Sequence, residues 1–189
     1  MSNYLVAKKI RDAVVLQLRE AFKTNSTFQY VELSNGELDY ENSHIDIADV
    51  TPNDDIKIPA IIISSSSIDE NFRFFNDGLL EVIEVAGVEQ EEIYGTGLQT
   101  SLSISILTES TIERDQLLDL VYEYLKTATD ILAEKGIAIY EIKFGRESRT
   151  TIGARELYTS SVDIDVYSEW IKGEDITDTV SGVEVKPDV

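Results

Sequence analysis

Apolar residues near the start of the chain recur at a helical interval. Val6, Ile10, Val14, Leu18 and Phe22 fall on every fourth position, and Leu5, Ala13 and Ala21 widen the stripe. This predicts an amphipathic helix over residues 3–23 with Asn3 as its N-cap. Lys8, Lys9, Asp12, Arg19 and Glu20 take the polar face. The period then changes. Residues 27–33 and 37–40, joined by Ser34-Asn35-Gly36, read as a hairpin, because Asn-Gly accepts the positive φ angles of a tight reversal. Residues 41–58 are polar and acidic and contain Pro52, so a loop is expected. Pro59-Ala60-Ile61-Ile62-Ile63 predicts a buried strand that the serines at 64–67 end. An irregular segment, 68–78, closes on the turn signal Asn76-Asp77-Gly78, and 79–85 reads as another strand.

The clearest strand covers 98–106. Leu98, Thr100, Leu102, Ile104 and Ile106 alternate with Gln99, Ser101, Ser103 and Ser105, one side apolar and the other small and uncharged. Such a polar side either packs under a neighbour or stands in solvent. Ser110-Thr111-Ile112-Glu113 is a capping-box sequence, and Asp115 adds charge favoured by the helix dipole. It opens a second helix whose buried stripe is Leu117, Leu118, Val121, Leu125, Ala128 and Leu132, with Lys135 as last-turn cation and Gly136 as C′ residue. Residues 137–144 predict a strand and 145–153 a flexible basic loop. Residues 158–168 predict a final strand alternating Val162, Ile164 and Val166 with Ser161, Asp163 and Asp165. The expected fold is α+β: an antiparallel or mixed sheet with two long helices packed on one face, plus the hairpin and an extended C-terminal arm. One domain is expected over 1–171, with 27–58 as a hairpin-and-loop insertion and 172–189 as an acidic arm.

Charge narrows the function classes. Sixteen basic residues against 36 acidic ones leave a formal net charge of −20. That surface repels nucleic acid and anionic lipid at long range, so non-specific DNA binding is not expected. The chain has no cysteine, which excludes disulfides, thiolate zinc sites and thiol nucleophiles. The N-terminal residues lack a signal-peptide h-region, and no apolar run approaches the length of a membrane span. The expectation is a soluble protein made in a reducing compartment, without membrane contact.

Catalytic patterns are sparse, and neither catalytic nor metal nor cofactor residues are expected. The single histidine, His44, falls in a polar loop and cannot build a multi-histidine site. Gly95-Thr96-Gly97 precedes a strand and not a helix, so the helix-terminal phosphate cradle is missing. Asp54-Asp55, Asp69-Glu70 and Asp163/Asp165 lack the spacing of a calcium loop. Glu141-Ile142-Lys143 is the acid-x-Lys pattern of Mg²⁺-dependent nucleases, in which carboxylates hold the metal and the lysine steers water. Alternation puts both residues on the face of Ile137 and Ile139, as in a strand leaving the core for solvent. The basic residues offer a different signal. Lys143, Arg146, Arg149 and Arg155 lie close together, with only Glu147 and Glu156 as acids from 143 to 156. This is either a surface loop offsetting nearby carboxylates or a docking loop for an acidic partner, including another copy of the chain.

One segment has a familiar order. Pro59-Ala60-Ile61-Ile62-Ile63 leads to Leu102-Ser103-Ile104-Ser105-Ile106-Leu107-Thr108, then to Ser110-Thr111-Ile112-Glu113-Arg114-Asp115-Gln116-Leu117-Leu118-Asp119-Leu120-Val121-Tyr122-Glu123-Tyr124-Leu125. A Gly136-Ile137 strand, an arginine-containing loop and an alternating strand follow. The whole resembles the tail terminator and tail-completion proteins of long-tailed bacteriophages. The strand, E-R-D helix and strand carry its most specific part, and the N-terminal helix agrees in position only. The resemblance implies a sheet flanked by helices, assembled as a ring, usually a homohexamer. That ring caps the tail tube, ends its polymerisation and meets the neck of the capsid. Its implied partners are copies of itself, the tube protein, a neck or head-closure protein and a sheath protein. Genome DNA would pass without specific binding. The implied location is the tail–neck junction of the virion, with assembly in the host cytoplasm. Two alternatives stand beside it: another neck or head-closure component, or a Mg²⁺ nuclease using Glu141 and Lys143.

Overall fold

The fourth-residue stripe becomes helix α1 (Asn3–Lys23) in a computed structural model of the chain, which describes residues 3–49, 56–69, 78–85, 88–152 and 154–175. Ile10, Val14, Leu18 and Phe22 are buried as the spacing requires, and Val15 joins them. Asn3 is the first helical residue, not the cap before it. Beyond α1 the Asn25 side-chain oxygen accepts hydrogen bonds from the N–H groups of Thr27 and Phe28 and turns the chain. The expected hairpin exists as a reversal with one antiparallel bridge, Glu32 to Leu38, and Gly36 at φ 83° supplies its turn. It does not lengthen into strands. The Ser43 hydroxyl takes both backbone groups of Val31, and the His44 N–H donates to the Gln29 carbonyl.

Several strand boundaries differ from the sequence expectation. Strand β1 (Asp46–Ala48) lies inside the segment expected to be loop, too short to carry a period, and pairs parallel with Ala60–Ile62. Strand β2 (Ala60–Asp69) runs through the serines expected to end it, because Ser64 and Ser65 stay in register with Ser103 and Leu102. The expected turn at Asn76-Asp77 lies outside the described residues. Strand β3 (Gly78–Val85) folds antiparallel onto β4 (Val88–Thr108), a strand of 21 residues that far exceeds 98–106. After helix α2 (Thr111–Ala133) come β5 (Ile137–Phe144), β6 (Ser148–Ile152) and β7 (Arg155–Asp175), also of 21 residues. The basic loop is therefore half strand. Lys172, expected to begin the arm, still lies in β7, and residues 176–189 lie outside the described residues.

Both ends of α2 also depart from expectation. Ser110 is the N-cap with extended backbone, φ −131° and ψ 136°, but its hydroxyl makes no capping bond and the box does not close. Instead Thr108 Oγ1 donates to the Ser110 carbonyl at 2.7 Å. At the far end Glu134 is the C-cap, so Lys135 lies past the last turn, and Gly136 takes φ 74° one position later than expected.

The seven described strands form one sheet in the order β1-β2-β4-β7-β5, with β3 also paired to β4 and β6 to β7. Every pairing except β1–β2 is antiparallel. The architecture is α+β, a mostly antiparallel mixed sheet with two helices. Ile61, Ile63, Leu102, Ile104, Ile106, Val162, Ile164 and Val166, alternate strand positions, share one core with the stripes of α1 and α2. The intervening positions Ala60, Ile62, Leu107 and Leu157 form a smaller cluster against Ile56, Ile58 and Ile152.

Among the described residues Tyr30 is the one large polar side chain sealed into the main core. Its hydroxyl has no hydrogen-bond partner among the described residues, and the Arg19 guanidinium lies 5.2 Å from the ring centre. Arg19 is held there by the Ile47 carbonyl, at 3.0 and 2.7 Å. Burial pushes the Tyr30 phenol from its ordinary value of 10.0 up to about 12. The folded state thus keeps the neutral form longer than the unfolded chain does. That contribution is complete below pH 10 and is lost between pH 10 and about 12, where the unfolded chain ionises first. Tyr30→Phe removes the orphaned hydroxyl, so it is expected to be neutral or to stabilise by up to ~1 kcal/mol. Urea melts across the alkaline range check both statements: the variant should lose less stability than the wild type over that window.

Candidate interaction surface

Strand β5 decides where the predicted site residues go. Its ladder with β7 slips between Ile139 and Glu141, so two residues of β5 pass where β7 advances by one. Ile139 and Ile142 pack against the main core, while Glu141 and Lys143 line up with Asp165 and Asp163 on the other face. The expectation that Glu141 and Lys143 share a face with Ile137 and Ile139 is therefore wrong, and the slip is the reason. Lys143 Nζ lies 2.8 Å from Glu141 and 3.1 Å from Asp165. The Glu141 hydrogen bond, then that of Asp165, raises the Lys143 ammonium above its ordinary value. The Ser101 hydroxyl donates to Asp165 at 2.5 Å and, with Lys143, holds that carboxyl below the usual range.

The uncharged serine row of β4 acquires a role from this register. Ser103 donates to Asp163 at 2.6 Å, just as Ser101 does to Asp165. A band of serine, aspartate and lysine thus crosses the sheet from β4 through β7 to β5. Asp163 and Asp165, weighed as a calcium pair, are engaged in this band, whereas Asp54, Asp55 and Glu70 lie outside the described residues.

The three arginines lie elsewhere, in and beside the β6–β7 hairpin. Arg149 spans 3.4 Å to Glu156 with its guanidinium 5.0 Å from the centre of the Tyr158 ring. Arg155 reaches Glu109 at 4.0 Å. All four of these charged groups are more than half exposed, and ion pairs of that kind contribute about 0–1 kcal/mol. Arg146 is exposed and makes no ion pair with a described residue. The structure therefore separates the predicted cluster: Lys143 is engaged on the sheet face, and Arg146, Arg149 and Arg155 are presented outward.

Arg114 is the functional-looking cation that sequence reasoning missed. It is buried in the first turn of α2, where the helix dipole disfavours a positive charge. Asp115 at 2.7 Å and Glu147 at 3.0 Å offset that cost, and Asp115 first, then Glu147, raises its pKa. The bond to Glu147 ties the 145–147 connection to α2. Thr111, Arg114, Glu147, Ser148, Arg149 and Tyr158 line a groove there. A cation at that helix position, flanked by Glu113 and Asp115, was the available signal.

Gly145 fixes the other side of the connection. Its N–H donates to the Ser161 carbonyl at 2.8 Å, and an added Cβ would stand 1.8 Å from Ser161 Oγ and 3.1 Å from Ser161 Cβ. Rotation of the hydroxyl relieves the first contact and not the second. Gly145→Ala is expected to cost about 1–3 kcal/mol by overpacking. Adding Ser161→Gly, which removes both Oγ and Cβ, should make the cost of Gly145→Ala smaller than it is beside serine, as a double-mutant cycle would measure. An equal cost of Gly145→Ala in both backgrounds would refute the packing account.

No protein-family model matches the sequence, and a comparison with curated proteins finds no match. Among the described residues no helix is long and apolar enough to cross a membrane, and no group of three or more His, Asp or Glu side chains is arranged to hold a metal ion.

Proposed function

We propose that this chain is a structural bacteriophage protein, a tail terminator or tail-completion protein that works as a ring, in the homohexameric form the resemblance implies. It ends polymerisation of the tail tube and joins the tail to the neck. The observation that carries this reading is the arrangement of the segment with the phage resemblance. Helix α2 lies against three neighbouring strands, β4, β7 and β5. The two helices share one core with one face of the sheet, and the arginine-bearing hairpin stays exposed beside it. The net charge of −20 suits a conduit wall that does not trap passing DNA. The test is to add purified protein to polymerising tube protein and follow tube length by electron microscopy. Tubes capped at one end by a ring support the reading, and unchanged tubes with no bound protein reject it.

One observation favours a second reading. Asp165 joins Glu141 and Lys143, giving the acid-x-Lys pair a further carboxylate. The lysine ammonium, however, sits between the two carboxylates, in the position a metal ion would need. Plasmid nicking with and without Mg²⁺ separates the readings. No metal-dependent cleavage is expected, and Glu141→Ala should change nothing; cleavage lost in that variant would make the chain a nuclease.

A further inference from the structure

Strand β5 leaves one edge of the sheet open. It stands last in the strand order and, among the described residues, pairs only with β7. Five of its eight positions are exposed, among them Tyr140 at 52% and Phe144 at 54%, which places this edge in solvent. One bond gives the direction of its backbone. The Gly145 N–H donates to the Ser161 carbonyl, so residue 145 turns its polar groups toward β7. By alternation Lys143 and Glu141 do the same, and Ile142 and Phe144 turn theirs into the open edge. Unpaired groups of this kind are a template for another strand. The usual deterrents are weak here. The one lysine of β5, Lys143, is drawn to Glu141 at 2.8 Å and to Asp165 at 3.1 Å. The ladder slip at Tyr140 leaves residues 141–144 in regular register with β7.

The charges along this edge fit the same edge of a second copy. Two antiparallel β5 strands related by a two-fold axis at Ile142 set Ile142 opposite Ile142, with their outward backbone groups bonded to each other. Glu141 of each copy then stands opposite Lys143 of the other on one sheet face, an opposite-charge pair made twice. Each lysine keeps Asp165 and gains a carboxylate from the other copy. Centring the pair on Glu141 or on Lys143 would instead set like charges opposite one another. On the helix side Phe144, whose ring lies 5.0 Å from that of Tyr122 between centroids, comes diagonal to Ile142 of the second copy. That diagonal, roughly 7–8 Å, is within reach of an aromatic ring. We infer that β5 pairs with β5 of a second copy about a two-fold axis at Ile142, joining two sheets into one. An isologous contact does not by itself close a ring of single copies. The pairing therefore describes the free protein and goes beyond the ring reading, and failure of either leaves the other standing.

The absence of cysteine makes this register readable by cross-linking. Residues 141 and 143 of opposite copies form a non-hydrogen-bonded pair with Cα atoms about 4.5 Å apart, inside the roughly 4.4–6.8 Å that a disulfide spans. Residue 141 and its own mate are diagonal, at roughly 7–8 Å, and so are the two copies of residue 143. The test is to mix purified full-length Glu141→Cys and Lys143→Cys proteins and oxidise them mildly in ~0.15 M salt, where charge is screened beyond about 8 Å. Both positions are exposed, so circular dichroism should be unchanged. The mixture should give a disulfide-linked dimer with one chain of each kind, and either variant alone at least ~10-fold less. Sedimentation supplies a second measurement without cysteine. Lys143→Glu should weaken self-association by about 10-fold, and adding Glu141→Lys should restore it, because the opposite-charge pairs return with their ends exchanged. No linked dimer, equal linking in the mixture and the single variants, or a double variant as weak as Lys143→Glu would overturn the pairing. So would a link abolished by a synthetic peptide of residues 176–189, which would assign the edge to that segment.

Discussion

Phe22→Ala is expected to remove about 3–5 kcal/mol of stability, the range for deleting a buried aromatic ring. Phe22 has no exposed surface and closes the stripe of α1. Its ring meets Tyr124 of α2 edge to face, with centroids 5.0 Å apart at 89°. It is thus one of the contacts between the two helices. The cavity would not collapse easily, because both flanks are pinned. The Phe22 carbonyl accepts the Tyr30 N–H at 3.2 Å, and the Tyr124 hydroxyl accepts from the Asn25 amide at 3.1 Å. Against a total stability of about 5–15 kcal/mol for a domain, the loss is large, and the melting temperature should fall by about 6–20 °C. Calorimetry would measure it. A fall of only a degree or two would mean that α1 is not part of the cooperative core.

The elements read correctly are those whose signal is local. The stripes of α1 and α2 repeat within one segment, and burial follows the repeat. Strand β5 matched because isoleucine and aromatic residues make up five of its eight positions between Gly136 and Gly145. What was missed depends on a partner strand far away in sequence. Strand β1 is three residues long and exists because Ala60–Ile62 offers it an edge. The serines of β2 remain extended because β4 continues beside them, and β4 reaches back to Val88 because both β3 and β7 flank it. The candidate site divides in the same way. Lys143 and Arg146 are neighbours in sequence, yet one ladder slip at Tyr140 sends the lysine to Asp165 on the sheet face. The approach of Asp165 to Glu141 comes from cross-strand register, which no spacing within β5 reveals.

Reversal of Arg146 and Arg149 to glutamate should leave the monomer folded and abolish correct tail completion. The fold should survive because Arg146 makes no ion pair with a described residue, and Arg149 is 65% exposed against a Glu156 that is 66% exposed. Some cation–π attraction to Tyr158 is lost, about 0.5–1 kcal/mol at an exposed site. At a shielded interface the balance differs. A charge-assisted hydrogen bond there contributes about 1.5–3 kcal/mol, and reversal adds repulsion to the loss. A ring multiplies that loss by its number of interfaces, so assembly fails well before folding does. Lys143→Ala is the matched control, since its ammonium is already held by Glu141 and Asp165 within the chain. Circular dichroism of the double reversal should match the wild type and its melting temperature should fall by only about 1–4 °C, while electron microscopy of tails assembled with it should find over-long, uncapped tubes. The Lys143 variant should give tails of normal length. If the double reversal also gives capped tails of wild-type length, the hairpin is a solvated surface and the interface lies elsewhere.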